Sequence, residues 1–99
     1  MNNKIKNTKV KITWKQYQTE VYVNGHYCGY IDCIGGNNAW YDNAWYGNVY
    51  FRENDRPTMK HFGVVYDKQQ LINAVKQFIK ENANVIISEC KRIELLNNE

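Results

Sequence analysis

Residues 21–28 read VYVNGHYC, and this stretch decides the fold. Asn24-Gly25 suits a two-residue type I′ turn, which needs φ > 0 at both central positions. Apolar and aromatic residues alternate before it, so the stretch predicts an antiparallel hairpin. A two-residue turn also sets the register. Val23 is expected opposite His26, Tyr22 opposite Tyr27, Val21 opposite Cys28 and Thr19 opposite Tyr30. Tyr22 and Tyr27 then form an aromatic cross-strand pair on one face, with Val21, Val23, Cys28 and Tyr30 on the other.

Upstream, Lys9–Trp14 also alternates, but its apolar residues Val10, Ile12 and Trp14 are even-numbered, whereas Tyr17, Thr19, Val21 and Val23 are odd. One straight strand cannot change phase, so a bulge or bend at Lys15-Gln16 is expected to split the run into two strands. Downstream, Gly35-Gly36-Asn37-Asn38 ends the second hairpin arm near Ile34. Alternation resumes over Trp45–Arg52, with Trp45, Gly47, Val49 and Phe51 in phase. Glu53–Pro57 is a charged turn, and Met59–Tyr66 reads as a further strand. Asp67 is a good helix N-cap, with Gln70 completing a capping-box pattern. Leu71, Ile72, Val75, Phe78 and Ile79 follow as one apolar stripe at helical spacing. The helix is expected to end near Asn82, and Val85–Leu95 reads as a last strand. The order predicts an α+β fold: a twisted antiparallel sheet of about five or six strands with one amphipathic helix, about 67–82, packed on one face. A single helix leaves the second sheet face to be covered by something else or left open.

The 99 residues suffice for one core, so 1–99 is read as a single domain, with 1–8 as a basic arm. No apolar run approaches the ~20 residues of a membrane helix, and the N-terminus lacks the apolar core of a signal peptide. Three cysteines, Cys28, Cys33 and Cys90, at irregular spacing do not make a disulfide framework. Together these features predict a cytoplasmic protein without membrane partners. Charge is unevenly spread. Residues 1–15 carry five lysines and no acid, and residues 16–59 carry two arginines against five acids. No lysine or arginine occurs between Gln16 and Phe51.

Few residues offer chemistry. His26, Cys28, Cys33, His61 and Cys90 lack the C-x-x-C or H-x₃₋₅-H spacing of a zinc site. Cys28 and Cys33, an odd number apart on one strand, should point to opposite faces. Cys28 and His26 share a face, but nothing else in the sequence activates the thiol. No P-loop or dinucleotide fingerprint occurs. The expectation is a non-enzymatic protein with no metal and no cofactor.

Aromatic residues are the other concentration. Residues 38–47 read NAWYDNAWYG, a tandem repeat with two Trp and two Tyr. Trp40 and Trp45 are five apart, which aligns on neither a strand nor a helix, so the segment reads as a turn-rich loop. Its rings can roof the uncovered sheet face or anchor a partner, because Trp and Tyr dominate binding hot spots. The cation-free setting favours a protein partner over a nucleic acid, whose phosphates need lysine or arginine beside the stacking rings. Trp40, Tyr41, Trp45 and Tyr46 are the expected anchors, with Tyr22, Tyr27, Arg52 and Arg56 as the rim. An alternative is a single-stranded nucleic-acid or nucleotide-binding module in which Lys9, Lys11 and Lys15 hold phosphates. The plainer role for those lysines is to protect an edge strand from pairing with another chain. A homodimer through an edge strand is a third reading.

The Lys-, Asn-, Ile- and Tyr-rich composition, small size and missing catalytic motif resemble proteins of AT-rich bacteria and their phages. Among these, the chain resembles small counter-defence inhibitors of the anti-CRISPR type. The resemblance lies in size and composition, shares no motif and carries over no residue. It implies a protein that occludes a larger host partner, such as a nuclease or its nucleic-acid complex.

Overall fold

A computed structural model describes residues 10–34 and 44–97 of the protein. Five strands follow in sequence: β1 (Ile12–Lys15), β2 (Glu20–Val23), β3 (His26–Cys33), β4 (Trp45–Glu53) and β5 (Arg56–His61). Each pairs antiparallel with the next, giving a meander in the order β1-β2-β3-β4-β5. One long helix, α1 (Lys68–Asn97), packs on one face of this open sheet. The fold is α+β, as the alternation and the helical stripe predict.

Three reversals set the sheet. Asn24 and Gly25 have φ of 49° and 85°, the left-handed pair a type I′ turn requires. Asn54 and Asp55, at 54° and 63°, make the equivalent turn between β4 and β5. Between β1 and β2, Gln16, Tyr17 and Gln18 are all left-handed, with φ from 55° to 65°. Each such non-glycine residue costs about 1–2 kcal/mol. Local bonds hold the turn: Thr19 N donates to Lys15 O at 3.1 Å, and Thr19 Oγ1 donates to Gln16 O at 2.6 Å. Helix α1 also holds it, because Lys68 Nζ donates to Tyr17 O at 2.8 Å. The bulge or bend expected at Lys15-Gln16 is therefore a full chain reversal, and the run does split there into two strands.

A bulge lies one strand later. Tyr22 faces Tyr27 and Val23 faces His26, as the turn dictates, but Val21 faces Gly29 and Glu20 faces Tyr30. Cys28 is the extra residue. The slip reverses the predicted facing of everything after it. Cys28, Gly29 and Ile31 are buried towards the helix, while Tyr30 moves to the opposite face, away from Val21 and Val23. Cys33 opposite Trp45 is thereby in the helix-side phase too, so Cys28 and Cys33 share a face, contrary to simple parity.

The core lies between this face and α1. Val21, Val23, Cys28, Ile31 and Val49 from the sheet meet Leu71, Ile72, Val75, Ile79, Ile86 and Cys90 from the helix. Phe51 and Phe62 both stand edge-on to Phe78, with centroids 5.5 and 5.8 Å away. Asp67 caps the helix, its Oδ1 accepting from Gln69 N at 3.0 Å.

The helix does not end near Asn82. Asn82 has a non-helical backbone (φ −130°, ψ 27°), and its Nδ2 donates to Phe78 O at 3.0 Å, but the chain then resumes its helix to Asn97. The expected last strand, Val85–Leu95, is the second half of α1. Buried Ile79, Ala83, Ile86 and Cys90 recur at helical spacing across the kink. Packing on the sheet thus overrides the strand preference of Val85-Ile86-Ile87. The expected strand Met59–Tyr66 is shorter as well. It begins at Arg56, ends at His61, and leaves Val65 in an isolated bridge with Trp45. Among the described residues, no helix is long and apolar enough to cross a membrane.

Candidate functional site

The sheet face opposite α1 carries five tyrosines. Register places them there: Tyr22 faces Tyr27, Glu20 faces Tyr30, Tyr30 faces Asn48, Asp32 faces Tyr46 and Tyr50 faces Met59. These partners alternate with the core residues Val21, Val23, Ile31 and Val49 along the same strands. The rings form two contacting groups, Tyr22–Tyr27–Tyr50 and Tyr30–Tyr46. Tyr22 and Tyr27 lie 5.6 Å apart at 69°, Tyr27 and Tyr50 6.2 Å apart at 52°, and Tyr30 and Tyr46 6.4 Å apart at 86°. Tilted and edge-to-face contacts of this kind are favoured by the ring quadrupole. Among the described residues, no element packs over this face.

Polar groups fix the rings. Tyr22 OH donates to Glu20 Oε1 at 3.2 Å, and Tyr46 OH lies 3.4 Å from Asp32 Oδ2. Buried Asn48 is held twice: its Nδ2 donates to Tyr30 OH at 2.8 Å, and its Oδ1 accepts from Nδ1 of His61. The Tyr30 hydroxyl is thus an acceptor in this pair, and His61 a donor through Nδ1. The hydroxyls of Tyr22, Tyr27, Tyr46 and Tyr50 are hard to ionise. Burial pushes Tyr27 up to about 12, aided by Tyr50 and Glu20, and the Asp32 carboxylate raises Tyr46. The face therefore presents neutral phenols with two carboxylates, Glu20 and Asp32. Its cation at β1 is Lys15, whose Nζ sits 4.4 Å above the centre of the Tyr22 ring.

The expected anchors fall only in part within the described residues. Trp40 and Tyr41 lie outside the described residues, as does Lys9. Trp45 and Tyr46 are the first residues of β4 and face opposite ways. Trp45 packs against the core with Lys68 Nζ 4.6 Å above its ring, whereas Tyr46 joins the tyrosine row. Tyr22 and Tyr27 belong to that row and are central to it. Arg52 is committed elsewhere, to Glu89 of α1 and to Asp55 O, while Arg56 is exposed at the start of β5. Lys11 is tied into the β1–β2 hairpin through its backbone, N to Asn24 Oδ1 at 2.7 Å, and Lys15 joins the tyrosine face.

Sequence reasoning missed Tyr30, Tyr50, Asp32, Asn48 and His61. Tyr46, Asn48 and Tyr50 were legible as the phase opposite to Gly47 and Val49. Tyr30 needed the bulge, for which Gly29 inside a strand was the signal. The two core cysteines are poor nucleophiles. Burial pushes both Cys28 and Cys90 up to about 12, and Cys90 Sγ donates to Tyr27 O at 3.2 Å. Cys28 is thus protonated at neutral pH beside His26, which pairs instead with Glu94 at 2.7 Å. Among the described residues, no three His, Cys, Asp or Glu side chains converge as a metal site. Compared with known proteins, the chain matches no family model, no curated protein and no solved structure.

Proposed function

We propose that the protein is a non-enzymatic binding protein that docks its tyrosine-lined sheet face on a larger protein and blocks it. The observation that carries this reading is a set of five tyrosines, in two contacting groups, on one sheet face with no described element over it. Tyrosine supplies large contact area and a hydroxyl at low entropic cost, which is why it concentrates at interface hot spots. Glu20 and Asp32 within the row favour a basic partner surface. A host nucleic-acid-processing enzyme, whose channel is basic, fits this chemistry and the resemblance to counter-defence inhibitors.

Cross-linked capture from a bacterial host lysate tests the reading. Wild type is compared with a Tyr27→Ala/Tyr50→Ala variant that keeps the wild-type circular dichroism spectrum. A protein captured by wild type and lost with the variant, and whose activity wild type inhibits, supports it. Equal capture by both overturns it.

One observation favours a second reading, single-stranded nucleic-acid binding: Lys15 lies against Tyr22, so a cation does reach the aromatic row. That reading requires affinity for short oligonucleotides that falls steeply with salt. Fluorescence polarisation at two salt concentrations tests it, and no binding at low salt removes it.

A further inference from the structure

The tyrosine face contains the same constellation twice. At the β1–β2 end, the Glu20 carboxylate accepts from Tyr22 OH, and Tyr27 stands at 69° to the Tyr22 ring. The corner is filled by the protein's own ammonium, Lys15 Nζ, 4.4 Å above Tyr22. Lys15 is the cross-strand neighbour of Glu20, so charge and ring hold it together. At the β3–β4 end, Asp32 Oδ2 lies beside Tyr46 OH, and Tyr30 stands at 86° to the Tyr46 ring. Asp32 is likewise the cross-strand neighbour of Tyr46. Among the described residues, ammonium groups lie over Tyr22, Trp45 and Phe62, and none over Tyr46 or Tyr30.

We infer that the Asp32–Tyr46–Tyr30 corner is a receptor for a cationic side chain, an arginine or lysine of the protein partner. This rests on the reading of the tyrosine face as a protein-docking surface and names the group that face takes. Two nearly perpendicular rings give a cation one π-face and one edge, and the carboxylate supplies the opposite charge. Guanidinium suits it best, being planar, weakly hydrated and able to stack on a ring while its N–H groups reach Asp32. The same carboxylate repels phosphate, so the corner selects against nucleic acid.

Nuclear magnetic resonance of the full chain with labelled tyrosine rings tests this, using a hexa-arginine peptide as the probe. Saturable shifts of Tyr30 and Tyr46 are expected, with hexa-glutamate and oligo-dT giving none. Asp32→Asn should weaken the affinity at least tenfold. It keeps the Oδ1 that accepts from Cys33 N, so the strand end is not undone. Lys15→Ala should open the first corner, so that the peptide also shifts Tyr22 and Tyr27. No saturable shift at Tyr30 and Tyr46, or an unchanged affinity in Asp32→Asn, overturns the inference. If that happens while Tyr27→Ala/Tyr50→Ala still abolishes partner capture, the docking face stands and only the cation receptor falls.

Discussion

Arg52 Nη1, near the end of β4, donates to Glu89 Oε1 at 3.2 Å, bridging the sheet to the second half of α1. Glu89 is 3% exposed and is gripped from its own helix as well, by Arg92 Nε at 2.9 Å and Arg92 Nη2 at 2.6 Å. A carboxylate this deep is tolerated because both its oxygens are met by guanidinium donors. The pairing fastens the helix beyond its kink to the β4–β5 end of the sheet. Glu89→Gln keeps the shape but loses the charge, leaving Arg52 and Arg92 with a neutral partner. A loss of about 2 kcal/mol is expected, the scale of a hydrogen bond to a charged group. Urea unfolding with an unchanged m-value reads it.

The same carboxylate sets a pH dependence. Hydrogen bonds from Arg92, then Arg52, hold Glu89 below the ordinary glutamate value of 4.5 despite the opposing effect of burial. A depressed folded-state value contributes stability that is fully present above the unfolded value and is lost as pH falls through the folded one. Stability should therefore drop below about pH 4.5, and Glu89→Gln should flatten that drop in part. Denaturant midpoints from pH 7 to pH 3 for both proteins give the comparison. Parallel curves would show that other carboxylates dominate.

Gly29 of β3 lies opposite Val49 of β4. A Cβ added there meets the backbone of Asn48 at its carbonyl oxygen, and Val49 Cα lies at 3.0 Å. Backbone cannot swing aside as a side chain can, so Gly29→Ala must push the two strands apart. About 1–3 kcal/mol of destabilisation is expected, the usual scale of overpacking. Gly25→Ala has open space, and its cost comes only from φ of 85°. Amide resonances should separate the two mechanisms, with shifts along β3 and β4 for Gly29→Ala and shifts confined to the turn for Gly25→Ala.

Gly29 also marks how far the fold was legible. Turn chemistry at Asn24-Gly25 and the stripe from Leu71 to Ile79 are local signals, and both predict what forms. The phase of Tyr30 is not local, because a one-residue bulge at Cys28 decides it and nothing in simple alternation reveals an extra residue. Likewise Val85-Ile86-Ile87 look like a strand until Ile79, Ala83, Ile86 and Cys90 are read together across Asn82. The tyrosines and acids of the candidate face were legible in kind, but the expected anchors were drawn from the aromatic repeat, of which residues 44–47 are described. Tyr22 and Tyr27 were assigned to its rim, yet they sit within a row that only the sheet register assembles.

The cysteines give a test of the packing that needs no partner. Cys28 and Cys90 are fully buried between sheet and helix, while Cys33, at the end of β3, is only partly covered. Alkylation requires the thiolate, and burial raises both core thiols from an ordinary 9.0 to about 12. Each unit is tenfold, so at a given pH the thiolate fraction falls roughly a thousandfold, before access is considered. Iodoacetamide at pH 8 should therefore label Cys33 first in the native protein. Cys28 and Cys90 should follow together, at a rate that tracks opening of the helix from the sheet. Time-resolved peptide mass spectrometry distinguishes the three sites. Glu89→Gln should speed the labelling of Cys90 more than that of Cys33, because it loosens the part of α1 that covers Cys90. Equal labelling of all three in the native protein would contradict the packing of α1 beyond Asn82.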